Sequence, residues 1–168
     1  AALDNGGCQD GQRCLFQPPP FGTPFAIAGL RWGTGDFTDP WKRTYGSVLQ
    51  RPITMEPGRA CDGIRDNDLA GWQSNRGLPQ WLELGLGTAV SVTGLRLYPA
   101  WQDGRATEFE ISLSVDGKQW DEVGSGGGAN QPEGYEVKWP PRDACLVRVQ
   151  ITQDTAGQAF IVEAEILG

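Results

Sequence analysis

Histidine is absent from the 168 residues. That removes Ser-His-Asp and Cys-His nucleophile systems, histidine-ligated zinc, and the usual general base near neutral pH. Chemistry in this chain must rest on carboxylates, lysine, tyrosine or a bound cation. Two groups of residues have suitable types and spacing. Asp62, Asp66 and Asp68 fall in the turn-like segment Asp62-Gly63-Ile64-Arg65-Asp66-Asn67-Asp68. Such a loop offers carboxylate and carbonyl oxygens, of which calcium takes roughly six to eight. A solvated turn, with Asp66 or Asp68 capping backbone amides, is the plainer use of the same acids. Trp101 follows Tyr98-Pro99 and leads into the polar stretch Gln102-Asp103-Gly104-Arg105. An indole stacks on the apolar face of a pyranose, and Asp103 and Arg105 can bond its hydroxyls. Covering one end of the fold is the alternative role for Trp101.

Other patterns carry less. Glu163 and Glu165 lie two apart on one strand face, whereas glycosidases need carboxylates facing each other across a cleft. Gly85-Leu86-Gly87-Thr88-Ala89-Val90 lacks the third glycine and helix of a dinucleotide site. The run Gly124-Ser125-Gly126-Gly127-Gly128 lacks a phosphate-loop ending and reads as a mobile loop. These features, with the missing histidine, point to a protein that is not an enzyme.

The elements that must position these residues read as β-strands. The chain holds 24 Gly, 12 Pro and 7 Trp, a composition suited to short strands and tight turns. Phe109, Ile111, Leu113 and Val115 alternate with polar residues, and Asp116-Gly117 then signals a hairpin. Tyr135, Val137 and Trp139 form a second alternating set, Cys145, Val147, Val149 and Ile151 a third, and Phe160, Val162, Ala164 and Ile166 a fourth. The fold class is therefore all-β, an antiparallel sandwich or barrel. Trp32 and Trp41 are expected in packing contacts.

Residues 1–45 read differently. Gln17-Pro18-Pro19-Pro20 and the glycines and prolines after it interrupt regular structure, leaving room for one short strand over 25–32. This stretch is expected to be a disulfide-pinned extension lying against a domain of residues 46–168. Four cysteines, Cys8, Cys14, Cys61 and Cys145, suggest disulfides and an oxidising compartment. The spacing favours Cys8–Cys14 and Cys61–Cys145 among three connectivities, and a four-thiolate zinc site would normally show closer Cys pairs. The start Ala1-Ala2-Leu3-Asp4 is compatible with a mature end after signal removal, and a secreted or extracellular location is expected. No apolar run is long enough for a transmembrane helix. A net charge of −7 opposes nucleic acid and anionic membrane surfaces.

The order of motifs resembles the discoidin family, also called the coagulation-factor C-type or F5/8 type C domain, which includes galactose-binding carbohydrate modules. The residues are Ala60-Cys61-Asp62-Gly63, then Trp72-Gln73-Ser74 and Trp81-Leu82-Glu83-Leu84-Gly85-Leu86-Gly87. Tyr98-Pro99-Ala100-Trp101-Gln102-Asp103-Gly104, Ser114-Val115-Asp116-Gly117-Lys118-Gln119-Trp120 and Glu163-Ala164-Glu165-Ile166-Leu167-Gly168 follow. The resemblance spans about residues 46–168 and implies an eight-stranded jelly-roll β-sandwich, with Trp72, Trp81 and Trp120 at structural positions in its interior. It also implies a structural calcium held by Asp62, Asp66, Asp68 and Glu163, and a glycan or polysaccharide bound by loops at one end. Trp101, Asp103 and Arg105 are the expected contacts, with Asn130 on the same rim. Ala100-Trp101 stands where galactose-binding relatives place an arginine. A discoidin-type adhesion domain, binding an extracellular protein or a lipid head group, is the alternative.

Overall fold

The computed structural model describes residues 24–34, 44–45, 57–61, 63–65 and 71–168. Among the described residues there are eight strands: β1 (Gly29–Thr34), β2 (Thr44–Tyr45), β3 (Trp72–Gln73), β4 (Gln80–Pro99), β5 (Ala106–Ser114), β6 (Asp121–Ala129), β7 (Tyr135–Asp154) and β8 (Phe160–Leu167). Short 3-10 turns occupy Pro57–Cys61 and Gln102–Gly104. All pairings are antiparallel. The chain is thus all-β, a jelly-roll sandwich.

The strand path runs β2-β1-β4-β7-β5-β6, with β8 joined to β4 and β3 to β8. Strands β4 and β7 hold 20 residues each, several times a usual strand. Their ladder shifts register between Gly85 and Val90 and again between Val92 and Gly94. Irregularities of this kind bend a strand. The first part of β4 consequently pairs with β1 and the last part with β8. The two alternating sets at Tyr135–Trp139 and Cys145–Ile151 are one strand, β7.

Side chains from both layers meet in one core that includes Leu82, Leu84, Leu95, Leu97, Phe109, Ile111, Val147, Val149, Ile151, Ile161 and Ile166. Trp72 and Trp81 are fully buried. Trp32 packs against the core, and Trp41 lies outside the described residues. In β5 the expected alternation holds through Leu113, but Val115 is 54% exposed. The strand ends at Ser114 because a turn takes over: Asp116 accepts the Lys118 and Gln119 amides, and Ser114 Oγ accepts that of Gly117. In β7 the face expected to be wet is also covered, with Leu146 and Arg148 buried. The Arg148 guanidinium lies 3.6 Å from the centroid of the Trp120 ring, which shields it as a cation–π partner.

Strand β1 lies within the stretch read as an extension and pairs with β4 from Gly29↔Gly85 to Thr34↔Gln80. Of the cysteines, Cys145 is buried and disulfide-bonded, and Cys61 is half-buried against the core. Cys8 and Cys14 lie outside the described residues.

The glycine run is not a loop. Gly124–Gly128 form the body of β6, paired with β5 from Ala106↔Ala129 to Leu113↔Asp121. Glycine is needed because neighbours fill the side-chain space. A Cβ on Gly126 would stand 2.7 Å from Phe109 Cζ, and one on Gly127 would stand 2.7 Å from the Thr107 carbonyl oxygen. Gly127→Ala should therefore destabilise the fold by about 1–3 kcal/mol, the usual cost of overpacking. Ser125→Ala, on the same strand and exposed, should stay within about 0.5 kcal/mol of the parent. Urea unfolding measures both, and equal midpoints for the two variants would show that β6 tolerates side chains there.

Candidate functional site

The end of β4 sets the site. Pro99 has no amide to donate and closes the strand. Ala100 N–H bonds the Phe160 carbonyl at 3.0 Å, and the chain turns through Gln102–Gly104 into β5. That turn requires left-handed backbone at Asp103 (φ 59°) and Gly104 (φ 66°), which an Asp-Gly pair adopts readily. Tyr98, Ala100, Phe160 and Val162 form a small apolar cluster beneath, with Trp101 half-buried on it.

Behind this turn lies a network centred on Asp154, whose side chain is 1% exposed. Its carboxylate accepts from Arg105 Nη2 at 2.8 Å, Thr107 Oγ1 at 2.7 Å and the Ala156 amide at 2.8 Å. Arg105 also bonds the Gln158 carbonyl at 3.3 Å and lies over the Phe160 ring. Asn130 is buried as well. Its Nδ2 donates to the Ala100 carbonyl and to Thr107 Oγ1, both at 2.8 Å, and its Oδ1 lies 2.9 Å from the Tyr135 hydroxyl. These contacts use both amide protons. Arg105 and Asn130, expected from the sequence to meet a ligand, instead fasten the rim from inside. Asp103 stands exposed on the turn.

In front of the turn is an open depression of about 550 Å³ lined by Arg65, Arg96, Tyr98, Trp101, Pro132 and Glu133. Of the expected contact residues, Trp101 faces it. Arg65 Nη1 donates to the Tyr98 hydroxyl and to Glu165 Oε1, both at 3.1 Å, and the Tyr98 hydroxyl lies 3.2 Å from the same Glu165 oxygen. Burial and the nearby Glu165 carboxylate raise the pKa of Tyr98, so it stays a neutral phenol. Tyr98 and Glu165 in turn hold Arg65 in its charged form. Gly134 lets the β6–β7 connection close on this wall. A Cβ there would meet the Leu97 carbonyl oxygen at 2.5 Å and Tyr98 Cδ1 at 2.7 Å.

Arg65, Arg96, Tyr98, Pro132 and Glu133 were not among the expected site residues. Period-two spacing puts Arg96 and Tyr98 on one face of β4 leading to Trp101, a signal available in the sequence. Arg65 and Pro132-Glu133 arrive from separate connections, and no local pattern marks them.

Glu163 is 4% exposed, and its Oε2 accepts the Gly63 amide at 2.7 Å. A buried carboxylate thus faces the backbone one residue from Asp62, as a ligand set spanning that loop and β8 requires. Asp62, Asp66 and Asp68 lie outside the described residues. Among the described residues no three acidic, cysteine or histidine side chains converge as a metal site.

Residues 47–166 match the F5/8 type C domain. The chain belongs to that family. No curated protein sequence matches it. Solved structures similar to this F5/8 type C domain include "CBM32 of AlyQ in complex with 4,5-unsaturated mannuronic acid". That structure has a TM-score of 0.65 at 20% identity, over 86% of this chain and 98% of the other. A pectin-binding carbohydrate-binding module has a TM-score of 0.63 at 18% identity, over 84% of this chain and 91% of that one. The family 32 module of NanJ from Clostridium perfringens, in complex with galactose, has a TM-score of 0.57 at 23% identity, over 70% and 91%. At these identities the likeness is one of fold.

Removing either partner of the Arg105–Asp154 pair leaves a buried charge exposed to its apolar surroundings. Arg105→Ala and Asp154→Ala should each destabilise the domain by about 3–5 kcal/mol. The double variant should cost clearly less than their sum. Additive losses in a denaturation cycle would refute a coupled pair.

Proposed function

We propose that this F5/8 type C domain is a non-catalytic glycan-binding module of an extracellular protein, which grips its sugar in the depression at the end of β4. The observation that carries the reading is the depression itself. It places a half-buried indole, Trp101, beside a phenol, two guanidiniums and a carboxylate, the mixture of apolar platform and polar rim on which a pyranose can lie. Similar structures of carbohydrate-binding modules support it, their ligands including an unsaturated mannuronic acid, pectin and galactose.

Binding without turnover is supported by how the acids are used. Glu163 accepts a backbone amide, and Glu165 is shared by Arg65 and Tyr98. The chain holds no histidine, the usual general base near neutral pH. An extracellular location is supported by the disulfide at Cys145, since such bonds persist in oxidising compartments. No helix among the described residues is long and apolar enough to cross a membrane.

Trp101→Ala should weaken glycan binding about tenfold, and Trp101→Phe less, since a smaller ring keeps part of the stacking surface. Titration of the parent and both variants against a glycan panel, with thermal melts to verify folding, measures this. The parent binding no glycan, or Trp101→Ala binding as the parent does, would overturn the reading. Capture of an extracellular protein that sugar does not compete would favour adhesion instead.

The proposal extends to one structural calcium bound by Asp62, Asp66, Asp68 and Glu163. When bound, the ion would tie the loop after Cys61 to β8 and so support the wall that carries Arg65. Because a ligand that binds only the folded state stabilises it, by roughly 2.7 kcal/mol at a hundredfold excess over Kd, calcium should raise the melting temperature of the chelator-treated protein. Glu163→Gln should abolish that rise. A parent protein whose melting is indifferent to both chelator and calcium contradicts the assignment.

A further inference from the structure

The charge in the depression is unlike that of the chain. The protein carries a net −7, yet its depression is lined by two arginines and one acid, Glu133. The two arginines also differ from Arg105 and Arg148, which are committed to Asp154 and to the Trp120 ring.

Arg65 is anchored but not spent. Its hydrogen bonds to Tyr98 and Glu165 run through Nη1, and a guanidinium carries three further N–H groups on Nε and Nη2. Its side chain is 52% exposed, while the Tyr98 ring lies 5.5 Å below. The anchoring fixes the rotamer before any ligand arrives, which lowers the entropy lost on binding. Arg96 comes from the same strand face as Tyr98. Glu136 makes a long ion pair with it, 3.9 Å from Nε and beyond hydrogen-bond reach, and lies 3.4 Å from Lys138 as well. Arg96 is 33% exposed, so its fork is partly dried yet open to a ligand.

Resting on the glycan-binding reading, we propose that this depression selects sugars bearing a carboxylate, such as uronic acids, with Arg65 and Arg96 as the groups that receive it. A planar guanidinium matches a carboxylate bidentately, and such charge-assisted bonds are about twice as strong as neutral ones. The rings of Tyr98 and Trp101 keep water from one side of the contact. A hydroxyl offered to the same groups gains much less. Glu133 works against the selection at close range. So do Glu165, 3.1 Å from Arg65, and Glu136, 3.9 Å from Arg96, while acids beyond about 8 Å are largely screened at physiological salt.

The test is calorimetric titration of the full chain with four oligosaccharides: oligogalacturonate, its methyl ester, a neutral galacto-oligosaccharide and a sulfated galactan fragment. The acid should bind about 10- to 100-fold more tightly than its ester, the range expected of hydrogen bonds to charged groups. Arg96→Ala and Arg65→Ala should each remove most of that advantage, while Glu133→Gln should tighten the acid alone. Arg96 is the decisive position if loss of Arg65 disturbs Tyr98, and thermal melts distinguish the two cases. Equal affinity for acid and ester overturns the inference while leaving the glycan module standing. A sulfated fragment bound as tightly as the uronate overturns carboxylate selection in favour of a general anion preference. Failure to bind any of the four or any neutral glycan removes both readings together.

Discussion

Strands β4 and β7 run antiparallel from Gln80↔Ile151 to Leu97↔Tyr135, and both layers of the sandwich are built on that ladder. Strand β1 docks on one part of β4 and β8 on another, while β5 and then β6 extend from β7. The register shifts after Gly85 and Val92 let a 20-residue strand serve both layers. Without them β4 would stay in a single layer. The ladder also delivers the site, because Arg96 and Tyr98 project from the end of β4 and Trp101 comes two residues after Pro99.

Two sets of polar groups meet at that end, and they do different work. Asp154, Arg105, Thr107 and Asn130 bond one another behind the turn, where burial makes the loss of a partner costly. Arg65, Arg96 and Glu133 stand in front of it, around a floor of Tyr98 and Trp101. The inner set fixes the outline of the rim at Ala100 and at the start of the β6–β7 connection. The outer set keeps donors for a visiting molecule. A rigid scaffold with an accessible charged face is what binding without chemical change demands.

The sequence made the architecture legible because its signals are local. Alternation in Phe109–Leu113 and the Asp116-Gly117 turn are read from neighbouring residues, and the family motifs follow in order. Gly124–Gly128 misled because the usual meaning of such a run is flexibility, whereas here Phe109 and the β5 backbone occupy the side-chain space. Arg105 and Asn130 could not be placed locally for a related reason. Their types suit a ligand, but Asp154 and Ala100, far away in sequence, engage Arg105 Nη2 and Asn130 Nδ2 from behind the rim. Trp101 was identifiable from its loop. Arg65 and Glu133 were not, since only the folded chain brings the segment after Cys61 and the β6–β7 connection to the end of β4.

The most direct measurement is a ¹⁵N-resolved NMR titration that follows backbone and indole N–H signals as oligosaccharide is added. Recognition at this rim requires shifts at the Trp101 indole and at residues 63–65, 96–101 and 132–134, with the opposite end near Asp116 and Asp143 silent. Shifts confined to that opposite end, or an unchanged spectrum with every glycan offered, would contradict it.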